Sequence, residues 1–143
     1  MLQWLRENDC PWDEATCSAA AWGGHLQVLQ WARANGCDWD MDTCYAAAKG
    51  GHLAVLQWAQ ANGCDWDEAV RSRSQPVYWA AEGGHLTVVQ WLRANGWDWD
   101  EDTCTGAAGG GHLDVLQWLR ENGCPWDVAT CREAARYGHL QVL

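Results

Sequence analysis

Phenylalanine is absent from this 143-residue chain, proline occurs 3 times, and lysine plus arginine only 9 times. No apolar run approaches the roughly 18 residues of a membrane span, and no charged segment followed by an apolar one comes after Met1. Neither a spanning helix nor a secretion signal is therefore expected, and the expected location is cytoplasmic. The 19 acidic residues leave a formal charge of -10. A surface of that sign repels phosphate backbones instead of releasing their counterions, so neither nucleic acid nor an anionic membrane is expected as a partner. Paired carboxylates at a defined spacing, a phosphate-cradling glycine loop and a nucleophile motif are missing as well. No enzyme, catalytic residue or cofactor is expected.

What is present is repetition. A hydrophobic content of 48% argues for a folded chain, and 13 tryptophans beside no phenylalanine point to one short unit copied several times. The tripeptide Gly-His-Leu places His at 25, 52, 85, 112 and 139, with separations of 27, 33, 27 and 27. Around it each unit runs from an Asp-led stretch through Thr-Cys and an Ala cluster to Gly-Gly-His-Leu. It continues with x-Val-Leu-Gln-Trp, Asn-Gly-Cys and x-Trp-Asp.

In "DMDTCYAAAKGG" Asp40 can cap a helix, Met41 to Lys49 are mostly helix formers, and Gly50-Gly51 can supply a left-handed stop. In "HLAVLQWAQANG" Leu53, Val55, Leu56, Trp58 and Ala59 cover most of a helical circumference, leaving Gln57 and Gln60 as a narrow polar stripe. Each unit is thus a helix pair too small to bury its own apolar surface. About five units must stack into an α-solenoid stabilised by the interfaces between them. The expected fold class is all-α, residues 1–143 form one repeat domain, and both terminal units are incomplete.

One copy is longer by six residues, which fall within Glu68 to Ser74 of "CDWDEAVRSRSQPVYWAAEGGH". Set on the common His, residues 75–85, "QPVYWAAEGGH", and 86–100, "LTVVQWLRANGWDWD", align without a gap with the 33-residue ankyrin repeat. The chain resembles the ankyrin family throughout, and most of all its short 27-residue Trp- and Cys-rich variant. The resemblance implies a β-hairpin finger near residues 68–74. Thr16, Thr43, Thr103 and Thr130 stand in the family's Pro column, so the other junctions are expected to be short turns.

The resemblance also implies protein–protein interaction through a concave surface. The residue after the Ala cluster reads Trp22, Lys49, Glu82, Gly109 and Arg136, and Tyr137 ends the following column. These are the family's partner-contacting columns. Arg71 and Arg73, the only tight basic pair in an acidic chain, fall on the one retained finger. Partner-binding candidates are therefore Trp22, Lys49, Arg71, Arg73, Glu82, Arg136 and Tyr137, against the alternative that they are ordinary solvated surface.

The 8 cysteines fall in two repeat columns, Cys10, Cys37, Cys64, Cys124 and Cys17, Cys44, Cys104, Cys131, with Trp97 and Val77 in the remaining places. Columns that accept Trp or Val are packing positions. Equivalent sites in stacked helices lie roughly 10 Å apart, too far for a disulfide, so reduced buried thiols are expected. Histidines spaced one repeat apart cannot share a metal, and the resemblance gives them a hydrogen-bonding role at the start of helix two. "DWDMD", Asp38 to Asp42, imitates a calcium loop, but Thr43 and Lys49 occupy the places of its Gly and Glu, leaving helix capping as the better reading. Two Trp columns, one on helix two and one after the turn, are expected to pack as core. Met1-Leu2 and Val142-Leu143 share one repeat phase, which fits either a piece of a longer array or chains that stack head to tail into a fibre.

Overall fold

In four units aspartate starts the first helix, and asparagine-glycine ends the second helix at Asn35, Asn62, Asn95 and Asn122. The computed structural model describes residues 1–64, 66 and 75–142. Over these it shows α1 (Leu2–Glu7), α2 (Glu14–Trp22), α3 (Leu26–Ala34), α4 (Met41–Gly50), α5 (Leu53–Ala61), α6 (Gln75–Glu82), α7 (Leu86–Ala94), α8 (Glu101–Gly110), α9 (Leu113–Glu121) and α10 (Val128–Arg136). The expected finger over 68–74 lies outside the described residues, and so do Arg71 and Arg73.

The Asp40 carboxylate accepts the Asp42 N–H at 3.0 Å, and Asp100 and Asp127 cap α8 and α10 in the same way. These aspartates satisfy amide donors that the first helical turn leaves open, so the calcium-like spacing is a capping pattern. At the other end of helix two, Asn8, Asn35, Asn62, Asn95 and Asn122 each donate from the side-chain amide to the carbonyl four residues back, at 2.8 Å.

The helices form two layers. In the first, α2 packs on α4, α4 on α6, α6 on α8 and α8 on α10, while α3, α5, α7 and α9 each lie against the helix that precedes them. Alanine makes the first layer: Ala20, Ala21, Ala47, Ala48, Ala80, Ala81, Ala107 and Ala108 are buried between helices that must approach closely. Leu29, Leu56, Leu92 and Leu119 close the second layer with no exposed surface, each adding about 2 kcal/mol of burial.

Histidine ties one unit to the next. His85 Nε2 donates to the Lys49 carbonyl at 3.0 Å and His139 Nε2 to the Gly109 carbonyl at 2.8 Å. The acceptors belong to the end of the preceding helix one, so each bond satisfies a carbonyl that the helix leaves open.

Trp66 and Trp97 are buried in the core, and most of the other tryptophans pack against it while keeping part of their surface exposed. Trp12, Trp39 and Trp99 pack edge-on against Trp31, Trp58 and Trp118, with ring centroids 5.6, 5.6 and 5.9 Å apart, along the flank of the second layer. Trp4 and Trp126 are 63% and 53% exposed. Arginine explains the position of the rings. Arg6, Arg33, Arg93 and Arg120, near the end of helix two, lie 3.9–4.4 Å over Trp12, Trp39, Trp99 and Trp126. Each guanidinium also donates to the carbonyl four residues on, that of Cys10, Cys37, Trp97 or Cys124. The ring serves as an outer wall for a cation that braces the turn.

Candidate functional site

The exposed flank of the first layer carries two neighbouring clefts, each of about 650 Å³. Helix period places them there. Helix-one residues that do not face the alanine seam point outward, and in this chain many of them are aromatic or charged.

The first cleft centres on Lys49, at the exposed end of α4. Its ammonium lies 4.4 Å from the Trp79 ring centroid and 5.7 Å from that of Trp22, which is 51% exposed. Three adjacent units thus contribute to one clamp, because the end of helix one recurs at the same height in each. Tyr45, Met41 and Asp42 complete the wall. Cation–π contacts at such exposure are worth about 0.5–1 kcal/mol each, enough to hold the ammonium in place.

The second cleft is acidic. Glu82, Asp102 and Glu133 line it together with Tyr78 and Tyr137, and Gly106 and Gly109 leave its floor without side chains. The Gly106 floor is sterically required: a Cβ there would meet the Tyr78 ring at 2.9 Å. The Tyr78 hydroxyl donates to Glu82 at 3.4 Å. Burial, and then the Glu82 carboxylate, push the Tyr78 phenol above its ordinary value. Asp102 is likewise raised, by burial and then by Asp100 and Glu101. Burial is the larger cause of both shifts, and the neighbouring carboxylates add to it. Arg136, on its rim, is engaged by Glu133 at 3.1 Å.

Of the residues expected from the sequence, the structure brings Lys49 into the first cleft, with Trp22 beside its ammonium, and Glu82 and Tyr137 into the second, with Arg136 beside them. Sequence reasoning missed Tyr45, Tyr78 and Trp79. They stand in columns that vary as freely as the one chosen: Ser18, Tyr45, Tyr78, Thr105, Arg132 and Ala19, Ala46, Trp79, Gly106, Glu133. Extending the comparison of copies along the whole of helix one would have found them. Among the described residues, no three His, Cys, Asp or Glu side chains are placed to hold a metal ion, and no helix is long and apolar enough to cross a membrane.

The family model for ankyrin repeats (3 copies) matches residues 17–102 and 44–130. No curated protein matches the chain at a significant level.

Proposed function

The chain belongs to the ankyrin-repeat family, and from that premise we propose that its repeats act as one recognition domain that binds a protein partner across the helix-one flank. Ankyrin repeats in general mediate protein–protein interaction. The observation that carries the reading here is the pairing of two unlike clefts on one rigid face. A cation held between Trp22 and Trp79 stands beside an acidic, tyrosine-walled groove. Aromatic rings with charged neighbours and few flexible side chains supply contact area at low entropic cost. A partner with a carboxylate spaced from a cationic side chain would meet both clefts at once, and their opposite charge would fix its direction.

Selection of peptide binders from a random display library, with the whole chain as bait, tests the reading. Lys49→Glu combined with Glu82→Lys on the helix-one flank is compared with Gln27→Ala, Gln57→Ala and Gln117→Ala on the exposed side of the second layer. The expected result is that most selected peptides lose at least tenfold in affinity on the first variant and keep it on the second. Equal retention on both would refute recognition by this flank.

A further inference from the structure

The two cysteine columns, too widely spaced within themselves, meet each other inside every unit that has both. Cys17 Sγ lies 3.3 Å from Cys37 Sγ. Cys44 Sγ reaches the Cys64 carbonyl at 3.2 Å, and Cys104 and Cys124 stand in the same two columns and influence each other's protonation. In each pair the first cysteine is on helix one and the second follows helix two, 20 residues on. The second thiol also points back at the residue that caps its own helix one: Cys37, Cys64 and Cys124 reach the carbonyls of Asp13, Asp40 and Asp100 at 3.3, 3.2 and 3.4 Å. All eight cysteines are thiols.

The copies treat the two positions as one. Where the third unit has Val77 in place of the first cysteine, it also has Trp97 in place of the second. The two positions are in contact, so a change at one is met by a change at the other.

We propose that Cys17–Cys37, Cys44–Cys64 and Cys104–Cys124 are three reversible oxidation sites, at which a peroxide converts each thiol pair into a disulfide that staples helix one to the turn after helix two. In the first pair the sulfurs, 3.3 Å apart, need to close little more than 1 Å to reach the bond length of about 2.05 Å. In the first step one thiol, as thiolate, attacks a peroxide oxygen. An S–O bond forms, the O–O bond breaks, and the departing hydroxide leaves as water with that thiol's proton. In the second, the partner sulfur attacks the sulfenic sulfur. The S–S bond forms, the S–O bond breaks, and the hydroxide leaves as a second water with the partner's proton. Two thiols are oxidised by two electrons and one peroxide is reduced to two waters. A thiol reductant reverses the change by exchange.

The pairs differ from ordinary buried cysteines in how their protons are held. The neighbouring Cys44 holds Cys64 below its ordinary value against the opposing effect of burial, and Cys124 does the same for Cys104. One sulfur in each of these pairs is thereby prepared to carry the charge that attack requires. Burial, joined by the bond to Cys37, pushes Cys17 up to about 12. The six sulfurs belong to residues 0–2% exposed, so the oxidant must be small, and peroxide is little larger than water. Cys131, exposed, and Cys10, partly so, have no such neighbour among the described residues and serve as internal controls.

The test uses the intact reduced chain. After removal of reductant it is treated with hydrogen peroxide under native conditions, quenched with catalase, unfolded in N-ethylmaleimide, digested and read by mass spectrometry. Linked peptides 17–37, 44–64 and 104–124 are expected, each lighter by two hydrogen atoms and restored by dithiothreitol. The oxidised chain should also unfold at a higher temperature. Cys37→Ser should leave Cys17 fully alkylated and the other two links unchanged. Alkylation of all six sulfurs after Cys131 has been oxidised, or links formed in any other pattern, would overturn the proposal.

Discussion

Replacing Gly51 by alanine isolates the contact that joins one repeat to the next. Gly51 ends α4 with φ +79°, where an L side chain costs roughly 1–2 kcal/mol. A Cβ there would also stand 2.5 Å from Cγ and Cε1 of His85, and closer still to Nδ1. The ring must then move, and the 3.0 Å bond from His85 to the Lys49 carbonyl goes with it, adding about 1 kcal/mol for the bond and a similar amount for the lost ring packing. Gly63 provides the control, since it has φ +85° and nothing within 4 Å of an added Cβ. Gly63→Ala should therefore cost only the backbone share. Urea denaturation followed by circular dichroism is expected to give a loss of about 3 kcal/mol for Gly51→Ala against about 1 for Gly63→Ala. In a His85→Ala background the cost of Gly51→Ala should fall to that of Gly63→Ala. Equal losses for the two glycines in the unmodified chain would refute the claim that histidine stacking couples the units.

The same histidine gives a pH dependence of known sign. Burial is the main cause lowering the His85 value below 6.5, with the charges of His112 and His52 adding to it and the bond to the Lys49 carbonyl opposing. The unfolded chain then binds the proton more readily than the folded one. The contribution to stability is whole above 6.5 and is lost as pH falls through the lowered folded value. Urea midpoints between about pH 7.5 and 5.5 should accordingly fall further for the unmodified chain than for His85→Gln, and parallel curves would refute the assignment. Threonine offers an opposed pair of substitutions. Thr103 Oγ1 accepts the Asp100 N–H at 3.4 Å, whereas Thr43 Oγ1 is buried without a partner among the described residues. By thermal melts Thr103→Val should destabilise by about 1 kcal/mol and Thr43→Val should be neutral or stabilising, and a loss of equal size at both would contradict the difference.

Helix pairs, their caps and their stacking are legible in the sequence because each rests on a local signal repeated in phase. Asp40, Asn62 and Gly51 act within four residues of themselves, and the copies confirm one another. Contacts between columns are harder to read. Each cysteine column viewed alone has neighbours one repeat away, yet Cys17 touches Cys37, in the other column and the same unit. The signal was the constant spacing of 20 and the joint loss at Val77 and Trp97. Tryptophan misled for a different reason. Ring size argues for burial, but the arginine at the end of helix two offers a cation and the ring settles over it at the surface.

The junction of the second and third units shows why such columns cannot be treated as independent. Gln60 stands where the other units have arginine, so no guanidinium from that position is available to hold Trp66 outside. Trp66 is accordingly 5% exposed, packed edge-on against Trp97 at 4.7 Å and Tyr45 at 4.8 Å. An indole of that size entering the seam must have a broad apolar wall to meet. Trp97, in the place of a cysteine, supplies one, and Val77 fills the place of the thiol that Trp97 left without a partner. Three substitutions that look scattered along the chain, Gln60, Val77 and Trp97, thus form a single repacking around Trp66, at the junction that carries the six additional residues. At that junction the second unit gives up its outer cation–aromatic brace while keeping Cys44 and Cys64, and the third gives up its inner thiol pair while keeping Arg93 over Trp99; an inner aromatic stack stands in their place. The first and fourth units keep both pair and brace, as expected of a stack whose interactions reach only to the nearest neighbour.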